Sequence, residues 1–312
     1  MKNKEIKKTT IGGQALIEGI LMRGPAKTSI VVRKPDGELE VKEEEIGTNS
    51  HPKALRLPFI RGVVNFWDSL KYGMKALYYS ASFFETEDDE GEQTKTDKWL
   101  EKHIGFEKLQ KITMAFALVI GIAIPIVLFI LTPTLLAGLV GDKVSPIVRN
   151  LLEGLIRIII FLLFIWITSK EKDVHRTYMY HGAEHKTIAC YERGLELTCD
   201  NVRECSRFHP RCGTSFLFIV MIVSILVFSV VKWSDPFVRM GLRLLLLPVV
   251  VGISYEIIRF AGRHDNFLTR ALRAPGLAIQ RLTTSEPDES MIEVAIKALT
   301  CVIPESENED RW

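Results

Sequence analysis

Residues 112–131 read ITMAFALVIGIAIPIVLFIL, from Ile112 to Leu131, twenty residues without a charge. At about 1.5 Å per residue such a helix crosses a bilayer core of roughly 30 Å. This run sets the expected fold class, an α-helical integral membrane protein. Pro125 lies inside it, is tolerated in a membrane helix, and should kink this one.

Working outward, Thr214 to Val231 is a second uncharged run. Leu151–Ile167 carries Glu153 and Arg157, and Met240–Phe260 carries Arg243, Glu256 and Arg259. Their cores, Ile158–Ile167 and Leu244–Ile253, are more apolar than buried helices of a soluble domain usually are. Four spans are therefore expected, over 112–132, 148–168, 214–231 and 240–260. Arg149, Glu153 and Arg157 recur every four residues, a ladder of opposite charges on one face. Such a face should meet protein or water, as a structural brace or, less directly, as part of a pore.

The flanking charges orient the spans. Lys98, Lys102, Lys108 and Lys111 precede the first span, and Arg259, Arg263, Arg270 and Arg273 follow the last. The 169–213 loop is rich in Lys and Arg, while the other two loops hold little more than Lys143 and Lys232. The positive-inside rule predicts a multi-pass cell-membrane protein with both termini and this loop in the cytoplasm.

Composition alone would have suggested a soluble protein. The chain has 312 residues, 40 Lys+Arg against 38 Asp+Glu, and 47% apolar residues. The averages exclude a disordered chain, and the near-zero net charge excludes nucleic-acid binding by bulk charge. The first hundred residues are polar and show no signal-peptide core. Five cysteines in parts expected to be cytoplasmic should be reduced, metal-bound or packed.

The polar parts divide further. Residues 1–84 are expected to form a cytoplasmic β-rich unit plus an amphipathic helix. In it, Lys34-Pro35-Asp36-Gly37 marks a turn between two strands. Gly12-Gly13-Gln14-Ala15-Leu16-Ile17-Glu18-Gly19 fits either turn chemistry or a bound ligand, and is no Walker loop. Residues 59–84 have helical periodicity, with Trp67, Tyr72, Tyr78 and Tyr79 suited either to a membrane headgroup layer or to packing on the strands. Residues 85–108 read as an acidic linker and 109–260 as the four-span domain. Residues 261–312 form a cytoplasmic tail with a helix near 290–300. Ser290 and Glu293 fit a capping box there, and the apolar stripe should pack on the β-unit.

The chemistry lies in the 169–213 loop. His181-Gly182-Ala183-Glu184-His185 follows the H-x-x-E-H order. On a helix, residues four apart share a face, so His181 and His185 can hold one divalent metal, zinc by ligand type. Glu184 is then placed as catalytic base. His209 and Cys212, just before the third span, and Glu256, near the end of the fourth, are candidate further ligands.

These blocks carry a resemblance. Gly12-Gly13-Gln14-Ala15 through Glu18-Gly19, Met22-Arg23-Gly24-Pro25, Arg61-Gly62-Val63-Val64, Tyr180 to Lys186, His209 to Phe216, and Pro275-Gly276-Leu277 with Gln280, Leu282-Thr283-Thr284 and Glu286-Pro287 resemble the YqhQ-like bacterial membrane proteins. That family is of unknown function and is often labelled as predicted metal-dependent enzymes. The resemblance implies a metal site and says little about substrate. Cys199 and Cys205 lie outside these blocks and are weaker ligand candidates.

Two functions are consistent with these readings. One is a metal-dependent hydrolase at the cytoplasmic membrane face, acting on a peptide or lipid-like substrate. The other is a non-enzymatic membrane factor or scaffold whose His/Cys cluster is structural. Expected partners are membrane lipid and a protein met through the N-terminal unit.

Overall fold

The computed structural model describes residues 8–46, 52–84, 116, 119–121, 123–140, 144–229, 236–305 and 310. The expected 85–108 linker lies outside them. The described residues fall into two units, one drawn from 1–84, 165–227 and 233–312, the other from 85–164 and 228–232.

The first unit is built on an antiparallel sheet of β1 (Gly12–Leu16), β2 (Gly19–Arg23), β3 (Lys27–Arg33) and β4 (Leu39–Glu45), in that order. The glycine-dense segment is mostly strand, with its turn confined to Ile17-Glu18 between the paired Leu16 and Gly19. Glu18 takes the left-handed conformation there, at φ 48°, and Gly37 does so at φ 87° in the expected β3–β4 turn. Alternation along the strands gives the sheet two apolar faces. Ile20, Met22 and Val31 are buried on one, and Leu16, Leu21, Ile30 and Val32 on the other.

Helices cover both faces. The expected amphipathic helix is α1 (Ile60–Ala81), and Ala76 packs into the Leu16 face. The second unit contributes α2 (Thr132–Gly138), which continues a π-helical turn at Val127–Leu131, and most of α3 (Pro146–Thr168). Then follow α4 (Lys172–Glu192), α5 (Cys199–Arg203), α6 (Gly213–Ser229), α7 (Pro236–Arg263), α8 (Phe267–Thr283) and α9 (Glu289–Thr300). Tyr180, Ala183 and Ile188 of α4 and Met291, Val294, Ala295 and Ala298 of α9 bury the Ile20 face. The tail helix thus packs on the sheet, and Ser29 Oγ donates to Ala298 O at 2.6 Å. Its cap is Asp288, which accepts from Met291 N, rather than Ser290, and Glu293 instead pairs with Arg33 at 2.8 Å.

Among the described residues, three helical stretches are long and apolar enough to cross a membrane, Val119–Gly138, Ile147–Thr168 and Met240–Arg263. The first runs past the expected end at 132 to Gly138, and most of 112–118 lies outside the described residues. The third expected run forms α6, only 17 residues over the described chain. Within the second unit two members of the charge ladder, Glu153 and Arg157, form a brace. Glu153 accepts from Arg157 and from Thr134 Oγ1, both at 3.0 Å. Arg157 Nε donates to Phe129 O at 2.7 Å, a carbonyl in the π-helical turn where regular helical pairing is perturbed.

A straight continuation of α3 would carry His181 far along its axis. The chain instead breaks at Glu171, whose extended backbone (ψ 134°) ends one helix, while its carboxylate caps α4 through Asp173 N.

Candidate metal centre

α4 presents His181 and His185 on one face, as four-residue spacing requires. Their rings lie 4.4 Å apart by centroid. His181 Nδ1 sits 2.8 Å from Thr283 O, and His185 Nδ1 sits 2.6 Å from Arg207 O. A carbonyl only accepts, so each Nδ1 carries a proton and donates it. Each ring is thereby fixed with Nε2 turned away, the orientation found in metal-ligating histidines.

Cys212 completes the group. Its Sγ is 3.2 Å from His181 Nε2, and ligand atoms of His181, His185 and Cys212 all lie within 4.8 Å of one another. Cys212 directly precedes α6, and its carbonyl accepts from Ser215 N and Phe216 N in the first turn. Burial opposes the thiolate, but His185 and His181 hold Cys212 well below the usual thiol range. Burial likewise opposes a charged His181, yet the hydrogen bond to Cys212 pushes it up to about 9. Two imidazoles and a thiolate are a zinc donor set with one tetrahedral position left open.

Glu184 lies beside them, only 5% exposed. Burial raises its pKa from the ordinary carboxylate value, opposed by the nearby His185 and His181. Gly13 is required at that spot. A Cβ there would stand 2.7 Å from Leu21 O and 3.0 Å from the Glu184 carboxyl carbon. The glycine-dense strand is thus there for close approach to α4. Gly12, Gly13, His181, Glu184, His185 and Cys212 line a cavity of about 120 Å³ together with Thr9, His209, Arg211 and their neighbours.

The other candidates lie differently. His209 neighbours His185, with ring centroids 5.6 Å apart. Its Nε2 faces Glu192 at 3.6 Å and Arg211 at 3.3 Å, however, and it is outside the three-residue group. Burial pushes its pKa down, and Arg211 and His209 keep the buried Glu192 below its usual range. The structure does not bring Glu256 to the site. Its carboxylate is held by Arg61 at 2.5 and 2.7 Å and accepts from Phe59 N. An ion pair near the end of α7 answers the cost of that carboxylate, so it needs no metal.

Sequence reading did not assign the residues that hold the site in place. Gln280 is fully buried, and its side chain clamps the His209 backbone by two 2.8 Å bonds. The Thr283 and Arg207 carbonyls orient the histidines, and no side-chain pattern signals a carbonyl. Gly182 was another gap. A Cβ on it would stand 2.0 Å from Ser285 O, because the segment after α8 crosses α4 at this point. Gly182→Ala should therefore cost about 3 kcal/mol, the upper range for overpacking. A thermal melt in detergent should show a clearly lower Tm, and an unchanged Tm would refute the crossing.

The fold and site define a predominantly helical chain with apolar candidate spans, a small antiparallel sheet and a buried His/Cys cluster. The family description "Protein of unknown function (DUF1385)" matches residues 57–305, and the chain belongs to that family. It is 32% identical over 292 residues to the "Uncharacterized protein YqhQ" of Bacillus subtilis (strain 168), covering 92% of this chain and 90% of that protein. No solved structure matches.

Proposed function

We propose that this protein is a membrane-spanning, metal-dependent hydrolase working at the cytoplasmic face. His181, His185 and Cys212 would hold zinc, with Glu184 as general base. The observation that carries this reading is the convergence of two Nδ1-tethered histidines and Cys212, ligand atoms within 4.8 Å, beside a buried carboxylate.

Three long apolar helices and the shorter α6 support four crossings. The Lys- and Arg-rich 169–213 segment supports a cytoplasmic site. Domain roles follow, with 1–84 and 261–312 as the cytoplasmic parts around the 109–260 membrane region.

Zinc held there would supply Lewis acidity toward a scissile carbonyl or ester and toward water. The protein's own residues do the rest. Thr283 O and Arg207 O fix the imidazoles. The close approach of Gly13 leaves room for the Glu184 carboxylate at the cavity wall. Burial makes that carboxylate more basic than a solvated one, so it can take a proton from water and pass it to a leaving group.

The alternative is a scaffold whose metal knot is closed by four protein ligands. His209 is the nearest extra imidazole, but Glu192 and Arg211 occupy its Nε2 side. The test is metal analysis of the intact protein purified without chelators. About one zinc per chain is expected; a trace far below stoichiometry overturns the reading.

A further inference from the structure

We propose that α1 is embedded in the cytoplasmic leaflet of the bilayer, starting beside α7 and running toward the headgroups, with its apolar stripe turned into the acyl chains. The inference rests on the membrane-spanning part of the reading above, not on the chemistry. The buried residues of α1 are small, Gly62, Gly73, Ala76 and Ser80, and they share one face. Another face carries Ile60, Trp67, Leu70, Met74, Leu77 and Tyr78, exposed by 42–68%. At 3.6 residues per turn these six fall within an arc of about 100°. A stripe this long and apolar marks a contact surface.

Its neighbour identifies the occupant. The start of α1 is seated on α7, within the candidate span Met240–Arg263. A Cβ on Gly62 would stand 2.6 Å from Tyr255 Cβ, and one on Gly252 would stand 2.7 Å from Phe59 O. The Arg61–Glu256 pair locks the same crossing at 2.5 Å. Gly252 is eleven residues before Arg263, on the order of 16 Å along the helix. α1 therefore begins beside residues that would lie in lipid, and α7 exposes Val249 and Phe260 there by 48% and 45%. The stripe continues the apolar surface of the span. Trp67 and Tyr78 suit the water–lipid boundary, and the exposed Lys71 beside them suits anionic headgroups.

Brominated-lipid quenching tests this on the full chain in nanodiscs of phosphatidylcholine and phosphatidylglycerol. Trp99, Trp166, Trp233 and Trp312 are changed to Phe, leaving Trp67 as the sole reporter. Met74→Trp with Trp67→Phe repeats the reading about two turns along the stripe, and Val249→Trp with Trp67→Phe reports on the span. Acyl-chain bromine should lower the emission of all three roughly two-fold or more. Quenching at position 249 but not at 67 or 74 would overturn the docking of α1 alone, whether water or a protein covers the stripe. No quenching at any position would overturn both the docking and the membrane-spanning reading.

Discussion

Replacing both His181 and His185 with Ala should strip the protein of its metal, lowering bound zinc from about one per chain to background. Losing two of three ligands should weaken binding at least ~10⁴-fold, given the size of zinc–site free energies. The histidines are also tethered to Thr283 and Arg207, so the substitution could loosen the loop. Circular dichroism separates the two effects. Helix content kept with metal lost fits a catalytic centre on a self-supporting fold, whereas collapse of the 169–213 segment fits the structural knot. His175→Ala, on the same helix, should keep full occupancy. Undiminished zinc in the double variant would place the metal elsewhere.

Glu184→Gln should leave zinc content and melting behaviour close to wild type yet lower turnover by about 10²–10⁴-fold, the usual contribution of a positioned general base. The amide keeps the volume of the side chain, so packing against Gly13 of β1 survives. It cannot take a proton. The measurement is hydrolysis by wild type and variant over a panel of peptide, ester and phospholipid bonds, in detergent and in nanodiscs. Equal rates would remove Glu184 from the mechanism, and a wild type inert across the panel would favour the scaffold.

Much of the architecture was legible because it depends on local pattern. Apolar runs, two of them interrupted by charges, marked the long apolar helices, Lys34-Pro35-Asp36-Gly37 marked a hairpin, and the spacing of His181 and His185 put both on one helix face. The site's composition was legible only in part. Cys212 could be suspected from its position before an apolar run, but so could Glu256, and spacing could not separate them. The difference is Arg61, a long-range partner that satisfies one carboxylate and leaves the His/Cys group to itself. The glycine-dense strand was ambiguous for the same reason. A glycine reports that something comes close, and only the fold shows that at Gly13 it is Glu184. The cap of α9 shows the limit of motif reading, since Asp288, Ser290 and Glu293 all offer suitable oxygens and geometry selects the first.

The centre is stitched from distant parts of the chain. Gly13 belongs to the first strand, the ligands to the middle of the chain, and the carbonyl that aligns His181 to Thr283, 102 residues after it. During synthesis the histidines and Cys212 therefore emerge from the ribosome long before the groups that aim them. A nascent chain carries the donor set as loose, accessible side chains, and the finished cavity closes around them only when α8 and the segment after it have arrived. Metal delivery to the proposed centre would consequently be easiest before the last quarter of the chain is in place, and exchange would be slow afterwards.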